Sequence, residues 1–501
     1  MPKLAILAIL LFAIARAGEL KNPHRVQKLY DELGAPCLWS CFGHPTELYE
    51  QYKTLLEKLP HHGIDPEPFR AEYYQELKIT DNLIQIAHSL YFGSLNPSGF
   101  FKGIKLPQKQ DITSQVLVRL IRQGKLQDLP NELSPKSPEY EALTKWAQHY
   151  INLLEEDWSK INPVKLQIGQ KHKEVPILRK RLYLLQDLPT DSGDDTFDAE
   201  LKQALTEFQK RHGLLPSGNL DAKTAKELNI TPKERLITIF LNLEKLRWVS
   251  PPSQGQFILV NIPSYELFLY QDGKVSLTSK VIVGRDFAGD LRPTPILYSQ
   301  ISHVVLNPKW YVPTSIASKD ILPKAKKDPT ILQRKRLRLY KNGEEIDPLS
   351  IDWANLDLRK VQFMLVQDSG PGNSLGRIKL HFPNDFDVYL HDTPEKHLFN
   401  KHKRAYSSGC IRVEKIRQLT SEILGWSEKR LNSAIASGQN FSIAPQTKVP
   451  IYIAYMTAFD KDGSLNFRED IYGYDKKLMK AFKEVDIAGS ARSRGHQTKS
   501  N

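Results

Sequence analysis

At Pro251-Pro252 the chain changes its apolar period, and that change commits it to separate helical and β layers. Upstream, apolar residues recur at helical spacing. Leu77 to Leu90 carries one such stripe, with Thr80 or Asp81 as candidate caps at its start and Gly93 with Pro97 at its end. Tyr140 to Trp158 carries a second after Ser137-Pro138, and Arg235 to Val249 reads as a connecting helix. From Phe257 onward the pattern is β. Phe257 to Tyr270 and Val275 to Val283 flank Gln271-Asp272-Gly273-Lys274, whose Asp-Gly pair predicts a hairpin. Ile301 to Leu306 is a short strand ending at Asn307-Pro308, and Val449 to Thr457 is a later one. Leu419 to Ala434 reads as one amphipathic helix between them, and Asp462-Gly463 as a turn.

Residues from Glu174 to Asn229 form a block of short helices with definite stops. Ile177, Leu178, Leu182 and Leu185 make one stripe. Phe197-Asp198 opens a second helix carrying Leu201, Ala204, Leu205 and Phe208, and Asp221 caps a third through Leu228. Gly213 and Pro216-Ser217-Gly218 supply the turns.

The N-terminus sets the compartment in which the cysteines and charges are read. Lys3 gives a basic start, Leu4 to Ile14 an apolar core, and Ala15-Arg16-Ala17 a small-x-small cleavage site before Gly18. This predicts a secretory signal peptide, since the run falls short of the roughly 20 residues that span a bilayer; an uncleaved anchor is the alternative. At 501 residues the chain has room for roughly three domains. Lys plus Arg exceed Asp plus Glu by 70 minus 57, or +13, which favours anionic surroundings. Export makes nucleic acid an unlikely meeting and leaves the cell envelope. Cys37 and Cys41 could close a local disulfide there, with two free thiols as the alternative; a metal site with His44 lacks a fourth nearby ligand. If the pair closes, Cys410 is the thiol left over, a candidate reactive group.

The stretch Phe386 to Val413 carries the candidate chemistry. Phe386, Val388 and Leu390 alternate with Asp387, Tyr389 and His391, which predicts a strand with His391 on its polar face, ended by Asp392-Thr393-Pro394. A cysteine attacks as thiolate, which forms readily beside a histidine or other cations; His391, Arg404 and Arg412 are the candidates for Cys410. Gly409 permits a sharp turn in which amides of Gly409 and Cys410 could face an oxyanion, and Arg412 has a fork suited to a carboxylate. The plain alternatives are a cysteine that packs as a small hydrophobe and a histidine that is hydrogen-bonded for structure. His381 could face a cleft, while His397 and His402 lie in a polar loop.

His391-Asp392-Thr393 followed by Ser407-Ser408-Gly409-Cys410-Ile411-Arg412 resembles the signature of L,D-transpeptidases, the YkuD-type catalytic domain. Asn307 to Pro313, and Leu375-Gly376-Arg377 through Phe382-Pro383-Asn384, resemble its large periplasmic branch, as does Phe467 to Gly473. TDNLIQIAHSLYFGSLNP is similar to the N-terminal scaffold domain of that branch; ALTEFQKRHGL, SGNLDAKT and ELN are similar to a three-helix peptidoglycan-binding-like domain. The likeness runs from about residue 65 to 480, which is most of the mature chain. It implies a multidomain α+β architecture: signal peptide 1–17, helical scaffold 18–165, peptidoglycan-binding-like domain 170–232, a mostly antiparallel β catalytic domain 233–487 with a capping insertion at about 314–376, and a polar, disordered tail 488–501. It implies Cys410 as nucleophile and His391 as base, Gly409 in the oxyanion hole, and Arg412 with Tyr389 orienting the site. Many members carry histidine directly before the glycine where this chain has Ser408, so the role of Ser408 stays open. The implied partners are peptidoglycan stem peptides, and glycan through the three-helix domain, with carbapenem β-lactams as acylating inhibitors and no metal or organic cofactor. Water or a protein lysine as acceptor, or a non-catalytic wall-binding role, are the alternatives; oligomeric state is not legible.

Overall fold

The structure, a computed structural model, describes residues 20–482 apart from 36, 250, 354 and 358–361. The expected signal peptide and polar tail lie outside the described residues. The chain divides into two compact units, one formed from Met1–Phe100, Pro107–Ser250 and Met456–Asn501, the other from Phe101–Leu106 and Pro251–Tyr455.

In the first unit the helices Pro23–Leu33, Glu47–Lys58, Glu76–Phe92 and Thr113–Gln123 close on a core that includes Trp39, Tyr52, Leu83 and Ile86. Cys37 and Cys41 are joined in a disulfide. The third of these helices begins ahead of both expected caps. Thr80 is buried and its Oγ1 accepts the Trp39 indole N–H at 2.8 Å, while Asp81 accepts the amides of Lys21 and Asn22 at 3.0 and 2.8 Å. Side chains suited to a cap have here been used to tie distant chain to the helix. The short helices follow expectation more closely. Asp198 accepts the Leu201 amide at 2.7 Å to start Ala199–Arg211, and Asp221 accepts that of Thr224 at 2.8 Å to start Ala222–Leu228.

The connecting helix Pro232–Trp248 opens on a capping box between Thr231 and Glu234. It buries the Arg247–Glu244 ion pair at 2.8 Å and reaches the end of the chain through Asn242 to Thr457 and Lys245 to Asp475, at 2.9 and 2.7 Å. For that reason residues 233–250 and those after 455, including the hairpin Ala458–Lys461/Ser464–Phe467, group with the helices rather than with the sheet. The compact β unit is accordingly shorter at both ends than the 233–487 expected from sequence.

The second unit is built on a sheet that, among the described residues, has twelve strands. In chain order they are β1 (Ile104–Lys105), β2 (Gln256–Asn261), β3 (Glu266–Gln271), β4 (Lys274–Gly284), β5 (Ile296–Ile301), β6 (His303–Leu306), β7 (Ile378–His381), β8 (Leu390–His391), β9 (Ala405–Ser407), β10 (Ile411–Val413), β11 (Phe441–Ile443) and β12 (Val449–Ala454). Their spatial order is β11-β6-β7-β8-β10-β4-β3-β2-β12-β5-β1, with β9 beside β4. Most neighbours are antiparallel; β8 with β10, β9 with β4, β12 with β2 and β5 with β1 are parallel. The predicted Asp272-Gly273 hairpin is there, both residues at positive φ (47° and 78°), joining β3 to β4. Phe257 to Tyr270 is two strands rather than one, because Tyr265 turns the chain at φ 57°.

Two further expectations give way to local hydrogen bonding. The strand expected from Phe386 is only Leu390–His391. Ahead of it the Asn384 carboxamide accepts the amides of Phe386 and Val388 and donates to the carbonyls of Phe382 and Val388, which winds the segment into a turn with Asp387 at φ 53°. Leu419 to Ala434 is two helices, Ile416–Leu424 and Glu428–Ala436, parted by Gly425 at φ 63° and restarted by Ser427.

Between β6 and β7 the insertion folds on itself. Helices Leu322–Lys327 and Thr330–Arg334 pack against the strands Leu337–Lys341 and Met364–Gln367 around Ile321, Leu332, Leu339 and Trp353. Asn342 and Gly343 make its hairpin turn at φ 54° and 90°. It has a core of its own.

Candidate active site

Strand register assembles the site. His391 on β8 pairs with Arg412 on β10 and with Lys379 on β7, so the three side chains stand in a row across adjacent strands. Cys410 lies one residue before β10, in the turn that leaves β9. The Ser407 hydroxyl spans that turn: it donates to the Cys410 carbonyl and accepts the Gly409 amide at 3.1 Å. Thr294 Oγ1 accepts the Gly284 amide at 2.9 Å and donates to the Gly409 carbonyl at 2.8 Å, pinning the turn to β4. Gly409 sits at φ 119°, a conformation that excludes a Cβ, which accounts for glycine directly before the thiol.

The electrostatics describe a neutral resting pair. His391 is buried, and burial, then the Arg412 guanidinium, lower its pKa to about 3. The Asp392 backbone and carboxylate act in the opposite sense and raise it, while Nδ1 is buried and has no hydrogen-bond partner among the described residues. Cys410 is part-exposed, yet protein atoms crowd its sulfur, and burial pushes the thiol up. Bonds from the Tyr389 amide and hydroxyl, then the charges of Lys379 and Arg412, pull it the other way. The Cys410 thiol points to the Asp387 carbonyl at 3.7 Å; among the described residues no hydrogen bond joins it to His391.

The other expected residues fall around this pair. Tyr389 is buried, with its hydroxyl toward Cys410 and the Trp310 indole. Arg412 is ion-paired with Glu395. The Gly409 amide is taken by Ser407 and so is not a free oxyanion donor, whereas the Cys410 amide has no hydrogen-bond partner among the described residues. Arg404 turns away and donates to the carbonyls of Val281 and Tyr265. His381 stacks on His303 with ring centroids 4.6 Å apart, both bound to Ser302. His397 and His402 are exposed. No cluster of three or more His, Cys, Asp or Glu suited to a metal is found among the described residues, and no described helix is long and apolar enough to cross a membrane.

Sequence reasoning missed three residues. The Ser408 hydroxyl accepts from Arg285 at 3.0 Å and from Arg292 at 3.3 Å; Asp290 bridges the two guanidiniums at 2.9 and 2.7 Å, and Asp320 of the insertion takes Arg292 at 2.7 Å. Ser408 thus sits between two guanidiniums next to Cys410. Lys379, third in the row, places Nζ 4.0 Å from the centre of the Tyr389 ring. Its only signal in the sequence was a lysine between apolar residues in a strand-like run.

Three protein families match the chain. The L,D-transpeptidase catalytic domain, YkuD, matches residues 255–451, the scaffold domain residues 24–146, and the family described as "Putative peptidoglycan binding domain" residues 171–228. A protein of Haemophilus influenzae named "Putative L,D-transpeptidase" is 40% identical over 259 residues, which are 51% of this chain and 50% of that one, so the chain spans about half the length of this relative. Among solved structures, an L,D-transpeptidase from Xylanimonas cellulosilytica (14% identical, 59% of this chain and 100% of that one, TM-score 0.19) and one from Stackebrandtia nassauensis (14%, 58% and 96%, 0.22) are similar too faintly to carry an argument. Along the chain, residues 24–146, 171–228 and 255–451 are thus similar, in order, to the scaffold domain, to the family described as "Putative peptidoglycan binding domain" and to the YkuD L,D-transpeptidase catalytic domain.

Proposed function

We propose that this protein is a cysteine-dependent acyltransferase of the periplasm that cross-links peptidoglycan stem peptides. The observation that carries the reading is the register of β8 on β10: it sets a buried, neutral His391 beside the turn that holds Cys410, the free cysteine among the described residues. A neutral imidazole can take a proton, and a part-exposed thiol can reach a substrate carbonyl.

In the first half-reaction the Cys410 sulfur attacks the carbonyl of the third stem residue while its proton passes to the His391 imidazole. The C–S bond forms, the C–N bond to the terminal D-alanine breaks, and the imidazolium returns the proton to the leaving amine. The Cys410 amide and the Tyr389 hydroxyl are the donors available to the oxyanion; Ser407 and Thr294 hold the turn that aims that amide. In the second half-reaction the amine of another stem attacks the thioester, gives its proton to His391, and the thiolate is reprotonated. At rest the thiol bonds the Asp387 carbonyl, so it rotates toward His391 before reacting. Hydrogen bonds of this kind commonly tighten only with substrate bound. The three-helix domain would hold glycan.

Intact-protein mass spectrometry after incubation with a disaccharide tetrapeptide tests this on wild type and Cys410→Ala. The expected result is an adduct lacking D-alanine, on wild type alone, that transfers to a second stem. Turnover to tripeptide alone would replace the acceptor amine by water. Absence of any adduct, with muropeptide still bound, would leave a wall-binding protein and sink the enzymatic reading.

A further inference from the structure

Around Cys410, several positive side chains are matched by carboxylates among the described residues, and Lys379 is not. Arg412 has Glu395, Arg285 has Asp290, Arg292 has Asp290 and Asp320, and Lys396 has Asp392. Lys379 is half-buried, and among the described residues its ammonium makes no hydrogen bond and no ion pair. Asp387 acts on it only from beyond ion-pair distance. A partly desolvated cation without an anion is unfavourable unless something completes it. The face of the Tyr389 ring offers Lys379 partial compensation at 4.0 Å and also fixes where its charge sits, within electrostatic range of the Cys410 sulfur.

Resting on the acyl-transfer reading above, we propose that Lys379 binds the terminal carboxylate of the donor stem, and so selects donors that end one residue beyond the bond to be broken. The reach agrees. In such a donor the carboxylate carbon is three bonds past the carbonyl that Cys410 attacks, which puts the negative charge roughly 3–4 Å from the reacting carbon. Lys379 lies opposite His391 on β7, so the anion it binds sits next to the base that must protonate the leaving amine. A donor with a further residue carries its carboxylate past this point and puts an amide against the lysine.

The test compares two donors on the full chain: a tetrapeptide with a free terminal carboxylate and the same peptide ending in a carboxamide. Rates of Cys410 thioester formation are read by intact mass, with iodoacetamide alkylation confirming a folded, reactive thiol. The ratio of the two donors within one protein cancels any change in the thiol itself. Wild type should prefer the acid by about tenfold or more, the scale of a charge-assisted bond. Lys379→Met should bring the ratio near one by slowing the acid, and Lys379→Arg should retain the preference. A wild type that does not distinguish the donors, or a Lys379→Met protein that still does, overturns the assignment while leaving the acyl-enzyme intact. A wild type that accepts iodoacetamide but neither donor overturns the acyl-enzyme reading and this proposal with it.

Discussion

The resting chemistry is decided by two opposed effects on Cys410. Burial raises its thiol, and the charges of Lys379 and Arg412 together with the Tyr389 donors do not fully offset that. His391 is held neutral by burial and by Arg412, so a preformed thiolate–imidazolium pair is not the ground state. The thiolate fraction of the free enzyme should then still be rising at pH 8. Iodoacetamide alkylation is expected to climb about tenfold per pH unit through neutrality, and a plateau below pH 7 would show the ion pair instead. Ser407 gives a second prediction at this scale. Its buried hydroxyl holds the Cys410 carbonyl and the Gly409 amide, so Ser407→Ala strands both and should cost roughly 1–3 kcal/mol in chemical denaturation. Thioester formation should slow with it, because the Cys410 amide loses its aim.

Among the elements, β4 gives the sharpest constraint. A Cβ on Gly284 would lie 2.1 Å from the Arg292 carbonyl oxygen and 2.6 Å from the Thr294 nitrogen, both backbone atoms that cannot swing aside. Gly284→Ala must therefore part β4 from the segment carrying Thr294 and release the Gly409 carbonyl. A loss of about 3 kcal/mol or more is expected, with lost activity even where the protein folds, read by melting and by acylation. This crossing shows what the sequence could not tell. Asp272-Gly273, Asp198 and Asp221 were legible because each acts within a few residues, through positive φ or a local cap. Cys410 and His391 were legible through a signature. Lys379, Arg285 and Arg292 were not, since only pairing between strands distant in sequence brings them to Cys410. The same holds for β1, two residues from among the helical segments that join the sheet edge at β5. Local pattern also misled where a side chain had a stronger local use: Asn384 made a turn of an alternating run, and Thr80 and Asp81 served tertiary bonds in place of a cap.

Across the whole molecule, buried neutral imidazoles in both units set the response to acid. His391 is one. His212 is another, stacked on Phe208 at 3.8 Å and on Phe467 at 5.4 Å, with burial and then the charges of Arg211, Arg235 and Arg468 holding it well below its usual range. In the unfolded chain both would bind a proton near pH 6.5; in the folded protein His391 does so only near pH 3. Between those values the unfolded state holds more protons, so stability is complete above about pH 6.5 and falls as the pH drops toward 3. Each group can contribute up to about 1.4 kcal/mol per pH unit in that window. Melting midpoints should therefore drop steadily from pH 6.5 to 4, and His391→Asn, which cannot take up the proton, should flatten the part of the slope that belongs to the β unit. His212 remains in that variant, so the transition of the helical unit should keep its slope. A midpoint that stays level over this range, or a variant as acid-sensitive as wild type, would mean that His391 is not held neutral. The resting thiol–imidazole pair from which the proposed reaction starts would then have to be replaced by an ion pair.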